Sequence, residues 1–460
     1  MSRLQLRSVP FIPALLALTL PLAIQSSFAE SSVVFERDAK APIVNLALTL
    51  RDGAIHDPQD RKGLTNFVGE MLLRGTRHRT KKEFDQEMDR LGASLAVEVR
   101  AEAVILRGSV LSRKLAPFLA LVSEAVTEQV FEEGEVTKLR NELLAGLAEQ
   151  KGRDPKVASD LFTEFLFSEH PYGNPILGTI PDVQKVTRAD VEAHYKRMFL
   201  KENLLLVGSG DAEEAQLNRW MEELTAKFPK TSEDASHALS KPTLPKKRRV
   251  LFIDKPERTQ CQILLGQSGI RFSDPSFFPL HIGNFIFGGG SFSSRLMQEI
   301  RVKRGWSYGA SSNFRFGTQP RSWSISLMPK TTDAAAALKQ TLQMVDELKQ
   351  TGVTDAEFNQ AKNSLVNGTA FMGNTPEKRL ENEVLETTLH LPSGFMKTWQ
   401  SEIRKVNRGQ VNTALKGFLQ PEEMTIVVLG TATPQFLEAI ANASQVKKDE
   451  IKVIRYTDSL

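Results

Sequence analysis

The sequence predicts an α+β protein made of two related sandwich halves. Three observations carry this. First, KVTRADVEAHYKRMFLKENLLLVGSG (185–210) matches KVNRGQVNTALKGFLQPEEMTIVVLGT (405–431) at an offset close to 220, and EVTKLRNELL (135–144) matches EFNQAKNSLV (357–366) at 222, which implies a duplicated unit of about 200 residues. Second, in each half strands precede runs of helices, without regular βα alternation. Third, the polar, proline-bearing stretch 229–249 lacks periodicity and reads as a linker between the halves.

The elements follow in order. Arg3 and Arg7 precede the apolar run 14–24, and Ser27-Phe28-Ala29 closes on small residues, the pattern of a secretory signal peptide over 1–29. That run is too short, with a proline inside it, to span a bilayer, and no other apolar stretch is long enough. Strands are expected over 42–51 and within 96–111. Between them, GLTNFVGEMLLRGT (63–76) places Leu64, Phe67, Val68, Met71 and Leu72 at the spacing of one buried helix face. The opposite face carries Asn66, Gly69 and Glu70. The second half repeats the plan, with strands over 260–269 and 322–329 and a helix over 276–287. The expected boundaries are thus a first domain over 30–228, the linker 229–249, a second domain over 250–447, and a C-terminal tail over 448–460.

Composition narrows the function. The chain has 460 residues, 41% hydrophobic and 25% charged, enough for more than one core. Removing Arg3 and Arg7 with the signal lowers the net charge from +4 to +2, which gives no ground for nucleic-acid binding, and KKRR (246–249) reads as the solvated end of the linker. Cys261 is the sole cysteine, so an intramolecular disulfide is impossible. The run Gly288-Gly289-Gly290-Ser291 matches neither phosphate-loop pattern. It reads as close backbone approach at a helix start, capped by Ser291, Ser293 or Ser294. On SSRLMQEIRVKR, Leu296 and Ile300 form the buried stripe.

The segments FGGGSFSSRLMQEIRVKRGWSYGASSNF (287–314), DGAIHDPQDRKGLTNFVGEMLLRGT (52–76) and HPYGNPILGT (170–179) resemble the pitrilysin, insulinase and mitochondrial processing peptidase group of zinc peptidases. The resemblance covers about 40 to 445. It implies two homologous α/β domains closing as a clamshell around a peptide chamber. Active members carry H-x-x-E-H on the first-half helix, two histidines on zinc and a glutamate as base. Here those positions are Asn66, Gly69 and Glu70, and the register of the third ligand holds Leu147 and Ala148, with Glu142 and Glu149 nearby. No zinc and no peptidase activity are therefore expected from this chain alone. The resemblance also implies roles for Arg301 and Tyr308, which match an Arg/Tyr pair that the non-catalytic chain of two-subunit members presents to substrate. Arg301 would bind backbone carbonyls and Tyr308 the carbonyl that becomes an oxyanion. The glycine run 288–290 with Ser291 would lie beside the chamber, and GASLAVEV (92–99) would be the strand whose edge pairs with peptide. The implied function is a substrate-binding, non-catalytic subunit of a heterodimeric periplasmic zinc metallopeptidase, whose homologous partner carries H-x-x-E-H and the zinc. The alternative is a non-proteolytic scaffold or peptide-binding protein of the same fold.

Overall fold

The computed structural model describes residues 32–168, 170–230 and 239–458. The expected signal peptide and the middle of the expected linker lie outside them.

Eleven strands form two sheets among the described residues. β1 (Val33–Arg37), β2 (Ile43–Leu50), β3 (Ser94–Val99), β4 (Val104–Leu111) and β5 (Leu204–Gly210) lie in the order β1-β5-β2-β4-β3. The second sheet comprises β6 (Arg249–Asp254), β7 (Gln262–Ser268), β8 (Ser307–Phe314), β9 (Ser322–Pro329), β10 (Thr425–Gly430) and β11 (Lys452–Arg455), in the order β11-β6-β10-β7-β9-β8. Replacing β1 to β5 by β6 to β10 turns the first order into the second apart from β11, which is added outside β6, and the one parallel pair of the first sheet, β1 with β5, recurs as β6 with β10. The first sheet ends on β3 and the second on β8. Residues 452–455, inside the stretch expected as a tail, are edge strand β11, and Ile451 beside them is buried.

Both sheets are covered on both faces, so β5 and β10 read as unbroken apolar runs. Alternate residues of each strand serve different layers. In the first sheet Val44, Leu46 and Leu48 join the core of their own half, while Ala47, Ile105, Leu205 and Val207 meet Leu380 and Val384. Those two residues lie on helix Pro376–Thr388, which the second half supplies. The second sheet mirrors this. Val250, Phe252, Ile426 and Val428 face their own half, while Leu251, Ile253, Val427 and Leu429 meet Val157, Ala158, Leu161 and Phe162. These lie on helix Asp154–Leu166 of the first half. Each half thus lays a helix on the other's sheet, at corresponding positions of the repeat. A fully buried Val, Leu or Phe contributes about 1.5–3 kcal/mol, so each exchanged helix is a substantial part of its host's core.

Ion pairs frame the exchanged helices. Glu381 accepts from Arg100 at 2.7 Å and from Arg107, which also hold Glu98 at 2.6 and 2.8 Å. Asp154 pairs with Lys255 at 2.6 Å and Arg258 at 2.8 Å.

The KKRR run is not a solvated linker end throughout. Arg249 opens β6, sits 4.1 Å over the ring of Phe165 and donates to its carbonyl. Arg248 donates to the carbonyls of Pro421 at 2.8 Å and Ser444 at 2.9 Å. Leu239 and Leu244 pack on the same inter-half core. A guanidinium carries several donors, so helix and turn carbonyls draw it in where charge counting alone leaves it in water.

Candidate functional site

The first-half helix runs Leu64–Met71, and its five expected core residues are buried. Its start has no adjacent side-chain cap. Gly63 takes φ +88 there, and Asp57, six residues upstream, accepts from Gly63 N at 2.8 Å, Thr65 N at 2.7 Å and Thr65 Oγ1 at 2.6 Å. Because the Thr65 hydroxyl donates to Asp57, it accepts from Nε2 of His194, 2.8 Å away on helix Arg188–Met198. Burial pushes the Asp57 carboxyl up to about 6 against these donors. Burial, with Arg197 next, holds His194 down to about 3. Sequence reasoning missed this support: Thr65 and His194 are 129 residues apart, and no local pattern joins them.

The helix's other face is more buried than its polar residues suggest. Asn66 is 5% exposed, and its Nδ2 has no hydrogen-bond partner. Gly69 is buried as well: a Cβ there meets Val97 Cγ1 at 3.0 Å and Val99 Cγ2 at 3.1 Å. The missing side chain is therefore what lets the helix settle on β3. Glu70 is exposed and lies near Arg74 and Glu142. Partial withdrawal from water raises its carboxyl, Arg74 opposes the rise, and Glu142 adds to it. Arg74 is itself held by Glu142 and by Glu135 at 3.5 Å. Leu147 is buried on helix Glu133–Gln150.

This arrangement does not fit zinc. Asn66 keeps a buried N–H donor, Gly69 leaves no room for a base without moving two valines, and a guanidinium stands where Glu70 and Glu142 approach each other. Among the described residues no three His, Cys, Asp or Glu side chains cluster as a metal site.

The second half presents its own pair. Helix Phe277–Asn284 continues as a wider π-helical turn, Phe285–Gly289. A Cβ at Gly288 falls 2.5 Å from Ser312 N, so this glycine seats its helix on edge strand β8 as Gly69 does on β3. Ser291 takes φ +52, and the buried Ser294 hydroxyl donates to Ser291 O at 2.7 Å and accepts from Met297 N at 3.4 Å. Of the three candidate caps, Ser294 is the one at the helix start. A second π-helical stretch, Met297–Lys303, follows, with Ile300 and the preceding Leu296 fully buried. Such stretches recur at functional sites because they re-aim side chains.

Arg301 lies on that stretch. Its guanidinium carbon is 4.8 Å from the ring centroid of Phe292 and 4.8 Å from that of Tyr308. The neighbouring cations have partners: Arg295 forks onto Glu357 at 2.6 and 2.7 Å, and Lys303 and Arg304 share Glu299 at 3.0 and 2.9 Å. Among the described residues no carboxylate comes within ion-pair distance of Arg301. It lies against two aromatic rings, and its N–H donors have no partner among the described residues. Tyr308 is 74% exposed and sits in a register shift between Ser307 and Ala310. Ser307 Oγ repairs the ladder there, donating to Gly309 O at 2.6 Å and accepting from Met328 N at 2.8 Å. A bulge of this kind turns a side chain out of the sheet's alternation. The structure thus brings Arg301 and Tyr308 together, and keeps them on the opposite half from Asn66, Gly69 and Glu70.

Residues 32–180 match the family description "Insulinase (Peptidase family M16)", and residues 185–365 match "Peptidase M16 inactive domain". The chain belongs to the M16 peptidase family. A relative from Helicobacter pylori, named non-peptidase homolog YmxG, is 23% identical over 404 residues, covering 87% of this chain and 92% of its own. An uncharacterized zinc protease of Streptomyces coelicolor is 23% identical over 331 residues, 71% of this chain and 72% of that one. Among solved M16 structures, a peptidase M16 inactive domain from Pseudomonas fluorescens superposes with a TM-score of 0.81 at 25% identity, over 87% of this chain and 95% of that one. The periplasmic protease PqqL from Escherichia coli shares the fold, with a TM-score of 0.71 at 14% identity over 91% of this chain and 50% of its own. No helix among the described residues is long and apolar enough to cross a membrane.

Proposed function

We propose that this chain is the non-catalytic, substrate-binding subunit of an exported, periplasmic zinc metallopeptidase, paired with an M16 homologue that carries H-x-x-E-H and the zinc. The observation that carries this reading is an asymmetry. In the first half Asn66 and Gly69 are taken up by packing and Glu70 faces Arg74, while Arg301 and Tyr308 are left with unused donors. A guanidinium resting against two rings keeps its N–H donors in one plane, which suits the carbonyls of an extended peptide. Tyr308 supplies an exposed hydroxyl beside it for the carbonyl oxygen that gains charge in the partner's reaction. Gly288, Gly289, Gly290 and Ser291 form the turn from which Phe292 reaches Arg301, and β3 offers a strand edge for backbone pairing.

The test is a native pull-down of residues 30–460 from their own cells, followed by peptidase assays. A homologue bearing H-x-x-E-H should co-purify stoichiometrically. Arg301→Ala and Tyr308→Phe should each lower the pair's kcat/KM, the tyrosine change by about 10²–10³ if its hydroxyl is an oxyanion donor. Full activity with both substitutions would reject the site. Recovery only of proteins that are not peptidases would favour the scaffold.

A further inference from the structure

Where β3 ends, the first half meets the β8–β9 hairpin of the second. Glu102, in the β3–β4 turn, accepts from Tyr172 Oη at 2.6 Å and from Thr318 N at 3.1 Å, and Tyr172 Oη accepts from Gln319 N at 2.9 Å. Beside this junction opens a cavity of about 300 Å³ whose lining includes Val99, Lys156, Asp160, Asn174, Arg315 and Arg321.

The charges in this cavity do not balance. Lys156 and Asp160 neutralise each other one helical turn apart. Arg315 donates only to hydroxyls, Ser159 Oγ at 3.0 Å and Thr163 Oγ1 at 3.3 Å. Arg321 lies 5.0 Å over the ring of Tyr172, and its Nε is buried without an acceptor. Asn174 Nδ2 is likewise buried without one. No carboxylate lies within ion-pair distance of either arginine among the described residues. Burial lowers the pKa of Arg315, the charge of Arg321 lowers it further, and Asp160 partly opposes. Two guanidinium groups facing one cavity, with donors left over, are the chemistry of an oxyanion receptor.

We propose that this cavity is a carboxylate subsite at the end of the β3 edge, where Arg315 and Arg321 hold a carboxylate of an extended peptide. The proposal deepens the peptide-binding reading and rests on it. Val99 joins the two, being both the last residue of β3 and part of the cavity wall. A peptide running parallel to β3 brings its C-terminal carboxylate to this end, whereas an acidic side chain arrives with either direction.

The experiment uses residues 30–460 and fluorescence anisotropy with three labelled octapeptides of alternating valine and alanine. One ends in a free carboxylate, one in an amide, and one in an amide with glutamate as the last residue. The free acid should bind about tenfold or more tighter than the amide, the value of one charge-assisted hydrogen-bonded contact. Arg321→Gln should erase that difference at an unchanged unfolding midpoint, and Arg315→Lys, which keeps charge but loses the fork, should reduce it. Tight binding of the glutamate amide assigns the carboxylate to a side chain, and weak binding assigns it to the C-terminus. If the acid, the amide and the glutamate amide all bind equally in wild type and Arg321→Gln, the subsite is rejected while peptide binding stands. If no peptide binds, both readings fall. Arginine-dependent binding of inorganic phosphate without discrimination among the peptides would replace the peptide carboxylate by a free anion.

Discussion

The guanidinium of Arg301 lies 4.8 Å over the ring of Tyr308, and 4.8 Å from the ring of Phe292 as well. A cation over an exposed ring is worth about 0.5–1 kcal/mol, too little to matter for folding but enough to bias one side-chain pose. Phe292→Ala should therefore leave the unfolding midpoint unchanged and weaken the pair's kcat/KM by about two- to fivefold, the rate equivalent of that energy. Arg301→Lys should resemble Arg301→Ala, because an ammonium has no flat faces to stack. Steady-state kinetics on the reconstituted pair read both.

Restoring the zinc motif should fail. Asn66→His, Gly69→Glu and Glu70→His together should yield neither stoichiometric zinc nor peptide hydrolysis, since Leu147 occupies the third-ligand register and Arg74 holds Glu142. Gly69→Glu alone should cost about 1–3 kcal/mol, as overpacking does, because Val97 and Val99 must shift. Urea unfolding and metal analysis of the purified variants test this, and a zinc-loaded triple variant would refute it.

The junction at Glu102 should be sensitive to a single atom. Tyr172→Phe removes the hydroxyl that donates to Glu102 and accepts from Gln319 N. Leaving such groups unpaired costs about 1–3 kcal/mol, readable as a lower urea midpoint.

His194 should carry a measurable acid sensitivity. Its pKa falls from 6.5 in the unfolded chain to about 3 in the fold, so the folded state binds fewer protons across that window. Its contribution is complete above pH 6.5 and is lost as pH falls through the window, by up to about 1.4 kcal/mol per unit. Asp57 acts oppositely: its rise from 3.8 to about 6 gives stability that is present below 3.8 and lost as pH rises through 6. The two effects offset each other between about pH 4 and 6. In His194→Gln only the Asp57 contribution remains, so the variant should gain stability on acidification from pH 6 to 4 relative to wild type. Urea midpoints across this range decide it.

Legibility in the sequence followed distance along the chain. The buried stripe of Leu64–Met71, the strand 322–329 and the paired helix–strand units near 185–210 and 405–431 were all readable, because period and repeat offset are local signals. The spacing of Arg301 and Tyr308 was readable, but the bulge, which arises from pairing between β8 and β9, and the second ring, brought in by Phe292 from the turn before the helix, were not. Gly69 looked like an empty position on a helix, whereas in the fold it is a contact with Val97 and Val99. Arg248, Arg249 and β11 were misjudged for the same reason: their partners are a hundred or more residues away or on the other half. Asp57 and His194 gave no signal at all.

The crossed placement of Asp154–Leu166 and Pro376–Thr388 has a mechanical consequence. Prising the halves apart would strip both helices from their host sheets and bare Leu251, Val427, Leu205 and Val207 to water at once. The chain is therefore latched, and opens by breaking core rather than by swinging on a hinge. In the proposed pair, the gate that admits a peptide then lies between this chain and its partner, and a cut within 231–238 should leave the two fragments clasped.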